Sequence, residues 1–117
     1  MKVCIALLAD LEPFESFARM ANALEVAKEC QQNGDEVAIV FDGAGVKWPA
    51  ALEDPEHKYH ALYQSVKQSI AGVCKYCAAA FGVKNQIETL GLPLVGEFDD
   101  HPSLRKYLAE GYHVLTF

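Results

Sequence analysis

Two thiols three residues apart, in Cys74-Lys75-Tyr76-Cys77, carry the sharpest chemical signal in this chain. A thiolate is both a nucleophile and a soft metal ligand, so the pair suits sulfur transfer, thiol–disulfide exchange or metal binding. Its surroundings narrow the choice. Ile70–Cys74 reads as a strand, and a short helix is expected from about Cys77 to Phe81. Cys77 then sits at a helix N-terminus, where unpaired backbone N–H groups and the positive end of the helix dipole favour an anion. Comparable positions lower a cysteine pKa from ~8.5 to between ~3.5 and ~7.5, and Lys75 adds to this if its ammonium stays close. Cys77 is therefore expected to be the most reactive thiol, with a depressed pKa, and Cys74 the intermediate case at the strand's end. The alternative is that both are small core residues, since unpaired cysteine is among the most buried residue types.

The elements that must position this pair alternate along the chain. Val3–Ala9 is a continuous apolar run, as in a parallel strand buried on both faces. Phe14, Phe17, Ala18, Met20, Ala21, Leu24 and Ala27 then keep helical spacing behind Pro13, and Asn33-Gly34 suits the helix end. Val37–Phe41 is the second strand, with Asp42-Gly43-Ala44-Gly45 as its exit loop. Asp54-Pro55 pairs an N-cap side chain with a proline at a first helical position, ahead of Leu62, Tyr63, Val66 and Ile70. After the third strand and its short helix, a second helix is expected from about Asn85 to Leu90. Leu94–Phe98 is the fourth strand, Pro102 opens a last helix that Gly111 ends, and Tyr112–Phe117 closes the chain. Strands separated by crossovers of a dozen or more residues imply an α/β domain, five parallel strands with helices on both faces. Chemistry in such sheets lies outside the carboxyl ends of the strands, which selects Asp10–Pro13, Asp42–Trp48, Cys74–Cys77 and Glu97–His101.

Composition sets the remaining limits. A chain of 117 residues, 51% hydrophobic and 22% charged, is one globular domain spanning residues 1–117. Its formal net charge of −6, with basic residues scattered singly, argues against nucleic acid and anionic membrane as partners. The N-terminal apolar run is short, one lysine precedes it, and Asp10 and Glu12 follow, so a buried strand explains it better than a signal peptide. No stretch approaches the ~18 apolar residues of a membrane span. A cytoplasmic location follows, where Cys4, Cys30, Cys74 and Cys77 form no disulfide framework. Cys4 and Cys30 read as core.

Other constellations carry less. Two cysteine ligands at this spacing would serve a zinc site, but a structural site needs four and there is no second Cys-x-x-Cys. His101 supplies a third ligand only if its loop lies over the pair, so no metal and no cofactor is assigned. His57 and His60 are expected to face solvent, and His113 to be a core histidine. Asp10-Leu11-Glu12-Pro13 lacks the glycines of a dinucleotide turn. Asp10, Glu12, Asp42, Glu97, Asp99 and Asp100 would repel phosphate, and each reads as an ordinary cap or loop residue.

The order of elements, the stretch Cys77-Ala78-Ala79-Ala80-Phe81-Gly82-Val83 after the third strand, and the ending Glu110-Gly111-Tyr112-His113-Val114-Leu115-Thr116-Phe117 resemble the DsrE/DsrF-like proteins. These include sulfur-relay subunits of the DsrEFH and TusBCD type. The resemblance spans the chain and implies a three-layer α/β/α domain with a five-stranded parallel sheet, assembled as trimers or hexamers. It further implies that the cysteine matching Cys77 accepts sulfane sulfur as a persulfide from a donor protein and passes it to an acceptor. The extra Cys74 leaves three readings: a persulfide carrier in which Cys74 resolves the persulfide, a dithiol redox sensor, or an oligomeric scaffold with inert cysteines.

Overall fold

The computed structural model describes all 117 residues. Strand β1 (Lys2–Leu7) is buried from Val3 onward, with Val3, Ile5 and Leu7 in one cluster and Cys4 in another on the opposite face. Burial on both sides explains its unbroken apolar run. β1 pairs in parallel with β2 (Glu36–Phe41) and with β5 (His113–Thr116). β2 pairs with β3 (Ile70–Cys74), and β3 with β4 (Leu94–Val95). The sheet order is β4-β3-β2-β1-β5, all parallel. Helices flank it on both faces, giving the expected three-layer α/β/α fold.

Helix α1 (Phe14–Gln32) buries Met20, Leu24 and Ala27 of the expected stripe together with Ala23, whereas Phe14, expected on the same face, is exposed at the helix start. It ends at Asn33-Gly34, where Gly34 takes φ +79°. α3 (His60–Val66), α4 (Lys75–Ala80) and α5 (Lys84–Thr89) add Tyr63, Val66, Cys77, Ala78 and Ile87 to the same core. α6 (Leu104–Ala109) alone covers the other face, through Tyr107. No helix is long and apolar enough to cross a membrane.

Several elements differ from expectation. β1 stops at Leu7 because the N–H groups of Leu8 and Ala9 both donate to the Phe117 carbonyl, at 2.8 and 3.2 Å. The exit loop of β2 is not irregular: Gly43–Lys47 forms a 3-10 turn that runs into α2 (Trp48–Leu52). A Cβ on Gly45 would stand 2.0 Å from the Leu7 carbonyl oxygen, so only glycine lets this turn lie against the end of β1. Asp54-Pro55 does not start a helix. Asp54 Oδ1 accepts from the Glu56 N–H at 2.9 Å, closing a turn, and α3 begins six residues after Asp54. β4 holds two residues instead of five, because Phe98 and His101 pair antiparallel around Asp99 and Asp100 at φ 49° and 63°.

Candidate functional site

Register brings the thiol pair and β2 together. Phe41 pairs with Val73, so Asp42 and Cys74 leave the carboxyl edge of the sheet side by side. Cys74 is the N-cap of α4, and its Sγ accepts the N–H of Cys77 at 3.3 Å. Cys77 lies one turn in, and its Sγ donates to Asp42 Oδ1 at 3.4 Å. The same carboxylate oxygen accepts the Gly43 N–H at 2.8 Å, which fixes the side chain. The cap position expected for Cys77 therefore belongs to Cys74.

The third segment is the hairpin after β4. It places His101 Nδ1 3.3 Å from Cys74 Sγ, and the imidazole packs on Tyr76 with ring centroids 4.8 Å apart. The Asp100 carbonyl accepts the Tyr76 N–H at 3.0 Å, tying hairpin to thiol loop. The loop of His101 thus does lie over the pair. The potential ligand atoms of Asp42, Cys74, Cys77 and His101 all fall within 4.8 Å of one another.

Burial controls the electrostatics here. Cys74 is fully buried and Cys77 retains 8% exposure. Loss of hydration pushes the Cys74 thiol up to about 12. It also raises Cys77, and the hydrogen bond to Asp42 and the charge of that carboxylate add to the rise. The expected depression of Cys77 is overturned: the helix start is real, but desolvation beside a carboxylate outweighs it. Lys75 is exposed. Cys4 is core, pushed by burial to about 11, whereas Cys30 is only half-buried.

The other singled-out residues stand apart. His57 and His60 do not face solvent: both are half-buried and hydrogen-bonded, His57 Nδ1 accepting the Tyr59 N–H at 3.0 Å and His60 Nδ1 lying 2.7 Å from the Leu52 carbonyl. His113 is exposed rather than core, because β5 is an edge strand. Asp10 pairs with Lys47 at 2.8 Å, and Glu97 with Lys106 at 2.6 Å. The strand order reverses between β1 and β5, where a cavity of about 310 Å³ opens beside Ala9, Ser16 and Thr116. Its charged residues, Glu15 and Arg19, are joined in an ion pair of 2.6 Å, so the chemistry concentrates at the β2–β3 edge instead. Asp42 was the residue missed by sequence reasoning. Its position directly after the second strand, in one of the four loops at the carboxyl ends of the strands, was the available signal.

The comparisons agree with this architecture. The conserved protein of unknown function BT1422 from Bacteroides thetaiotaomicron shares the fold, with a TM-score of 0.63 over 97% of this chain and 94% of its own, at 21% identity. The uncharacterized protein MJ0733 of Methanocaldococcus jannaschii is 35% identical over 96 residues, 82% of this chain and 78% of its own. The DsrE/DsrF-like family matches residues 5–117, nearly the entire chain, and this chain belongs to that family.

Proposed function

We propose that this protein is a cytoplasmic sulfur-relay carrier that holds a sulfane sulfur on Cys77. The observation that carries the reading is the pairing of two thiols at the end of β3, with the Cys77 thiol directed at Asp42. Family membership supports it, since the relay members use a cysteine at the matching position. Cys77 is the attacking sulfur because it keeps some exposure while Cys74 has none. Asp42 Oδ1 takes the thiol proton as Cys77 Sγ attacks the outer sulfur of a donor protein's persulfide. The donor S–S bond breaks, a Cys77 Sγ–S bond forms, and the donor leaves as a thiol that recovers the proton. An acceptor thiolate then attacks the outer sulfur and leaves Cys77 reduced. Where no acceptor arrives, Cys74 attacks Cys77 Sγ, forming the Cys74–Cys77 disulfide and releasing hydrosulfide.

The carrier acts as a homo-oligomer, trimeric or hexameric, in this reading. Phe14, Phe98 and Leu108 are 83%, 69% and 60% exposed, which leaves apolar surface for a second copy to cover. Light scattering that gives only monomer mass would refute the assembly. Intact-mass measurement after incubation with glutathione persulfide tests the chemistry. One sulfur mass is expected to persist on Cys74→Ser and to appear on wild type before the Cys74–Cys77 disulfide forms and leaves that chain two hydrogens lighter, and none is expected on Cys77→Ser. Uptake by Cys77→Ser would transfer the role to Cys74, and no uptake by any form would leave the inert scaffold.

A further inference from the structure

We infer that Asp42, Cys74, Cys77 and His101 form a four-ligand site for a divalent cation of the zinc class. The inference goes beyond the relay reading and does not rest on it. Three separate segments converge to make the set: the exit of β2, the Cys-x-x-Cys turn, and the Asp99-Asp100 hairpin. A tetrahedral zinc ion holds sulfur at about 2.3 Å and nitrogen or oxygen at about 2.0–2.2 Å, which gives ligand–ligand edges of roughly 3.3–3.8 Å. The Cys74–His101 edge is 3.3 Å and the Cys77–Asp42 edge 3.4 Å. The remaining pairs lie within 4.8 Å, so small side-chain shifts complete the tetrahedron.

The chemistry of the set selects the ion. Two thiolates and an imidazole are too soft for magnesium or calcium, which take oxygen ligands, and suit zinc. Three of the four ligands are also oriented from behind, as metal ligands are. Gly43 N–H holds Asp42, Cys77 N–H holds Cys74, and the Tyr76 ring supports His101. As the ion enters, both thiols release their protons to solvent, and the four ligands leave no coordination position open. Because the ion bonds the same two sulfurs, the metal-bound chain cannot accept sulfur on Cys77.

The test uses the reduced full-length chain, stripped with a chelator and titrated first with cobalt(II) and then with zinc. The expected result is one cobalt per chain, with near-ultraviolet sulfur-to-cobalt charge transfer and the visible bands of a tetrahedral ion, both bleached by zinc. Loss of a supporting group beyond the ligands typically costs 10–100-fold in metal affinity, so Tyr76→Ala is expected to weaken binding about tenfold. His101→Gln and Asp42→Asn should weaken it more than Tyr76→Ala, Cys74→Ser and Cys77→Ser most, and Cys30→Ser not at all. Absence of charge transfer in wild type overturns the site, as does wild-type affinity in His101→Gln or Asp42→Asn. If the cysteine variants do not fold, wild type still decides: zinc must protect Cys77 from iodoacetamide while leaving Cys30 unprotected, and equal labelling refutes the proposal. Persulfide uptake, measured on the metal-free chain, succeeds or fails independently of these results.

Discussion

One face of the sheet buries 19 residues under α1 to α5, Leu24, Trp48 and Tyr63 among them, whereas the other buries Cys4, Ala38, Val40 and Tyr107 under α6 alone. The thiol cluster straddles this division. Cys74 and Cys77 belong to the heavily packed core, and Asp42 is anchored beside it by the Gly45 turn. His101 hangs on the hairpin that leads into α6. Local opening costs least where few apolar contacts would be lost. The asymmetry therefore assigns a rigid wall to the cluster and a separable arm, and the arm brings only the imidazole.

The comparison breaks most easily by truncation. Leu24→Ala on the thick face should cost about 2–5 kcal/mol, from lost transfer energy plus the cavity left behind. Tyr107→Ala on the thin face should cost less, about 1–2 kcal/mol, within the ordinary range of single substitutions. Denaturant unfolding measures both, and equal losses would remove the asymmetry. Gly45→Ala drives a methyl against the Leu7 carbonyl oxygen, where backbone cannot swing aside. It should cost about 1–3 kcal/mol and shift Asp42 with the turn.

Hydrogen exchange sharpens the picture without a substitution. The Phe98, His101 and Tyr76 amides, bonded only within the arm or between arm and thiol loop, should exchange well before those of Ile5 and Ile39. Zinc should slow them selectively if the four ligands close on it. The smallest effect belongs to the pair at the base of the arm, Glu97 and Lys106, 37% and 42% exposed. Glu97→Gln should cost only about 0.2–1 kcal/mol, screened by salt. The hydrogen bond from Lys106 holds the Glu97 carboxyl below its usual value. Its small contribution is therefore present at neutral pH and fades as pH falls through the folded pKa.

Much of this was legible in the sequence. β1, α1 and β2 announce themselves because two-sided burial and a long amphipathic stripe leave strong periods, and the strand-to-helix turn located Cys74 and Cys77. What escaped depended on contacts across the chain. Asp42 joins the cluster only through the β2–β3 register, and His101, named as a ligand only on condition that its loop lay over the pair, meets that condition through a turn whose left-handed Asp99-Asp100 lacks the familiar Asn-Gly signal. The sign of the Cys77 shift failed for the same reason. A local rule about helix ends was overruled by burial next to a carboxylate supplied from 35 residues away.

Trp48, the sole tryptophan, is 1% exposed and donates its indole N–H to the Ala9 carbonyl at 2.8 Å. It begins the helix that directly follows the turn fixing Asp42, and His57 packs edge-on at 6.3 Å between centroids. The protein thus carries its own optical gauge. Light emitted by one indole reports on the seating of that turn, with no label attached and no cysteine disturbed. Movement of the turn away from β1 changes the polarity around the ring, so its emission colour follows the rigid wall of the cluster while leaving the arm unseen.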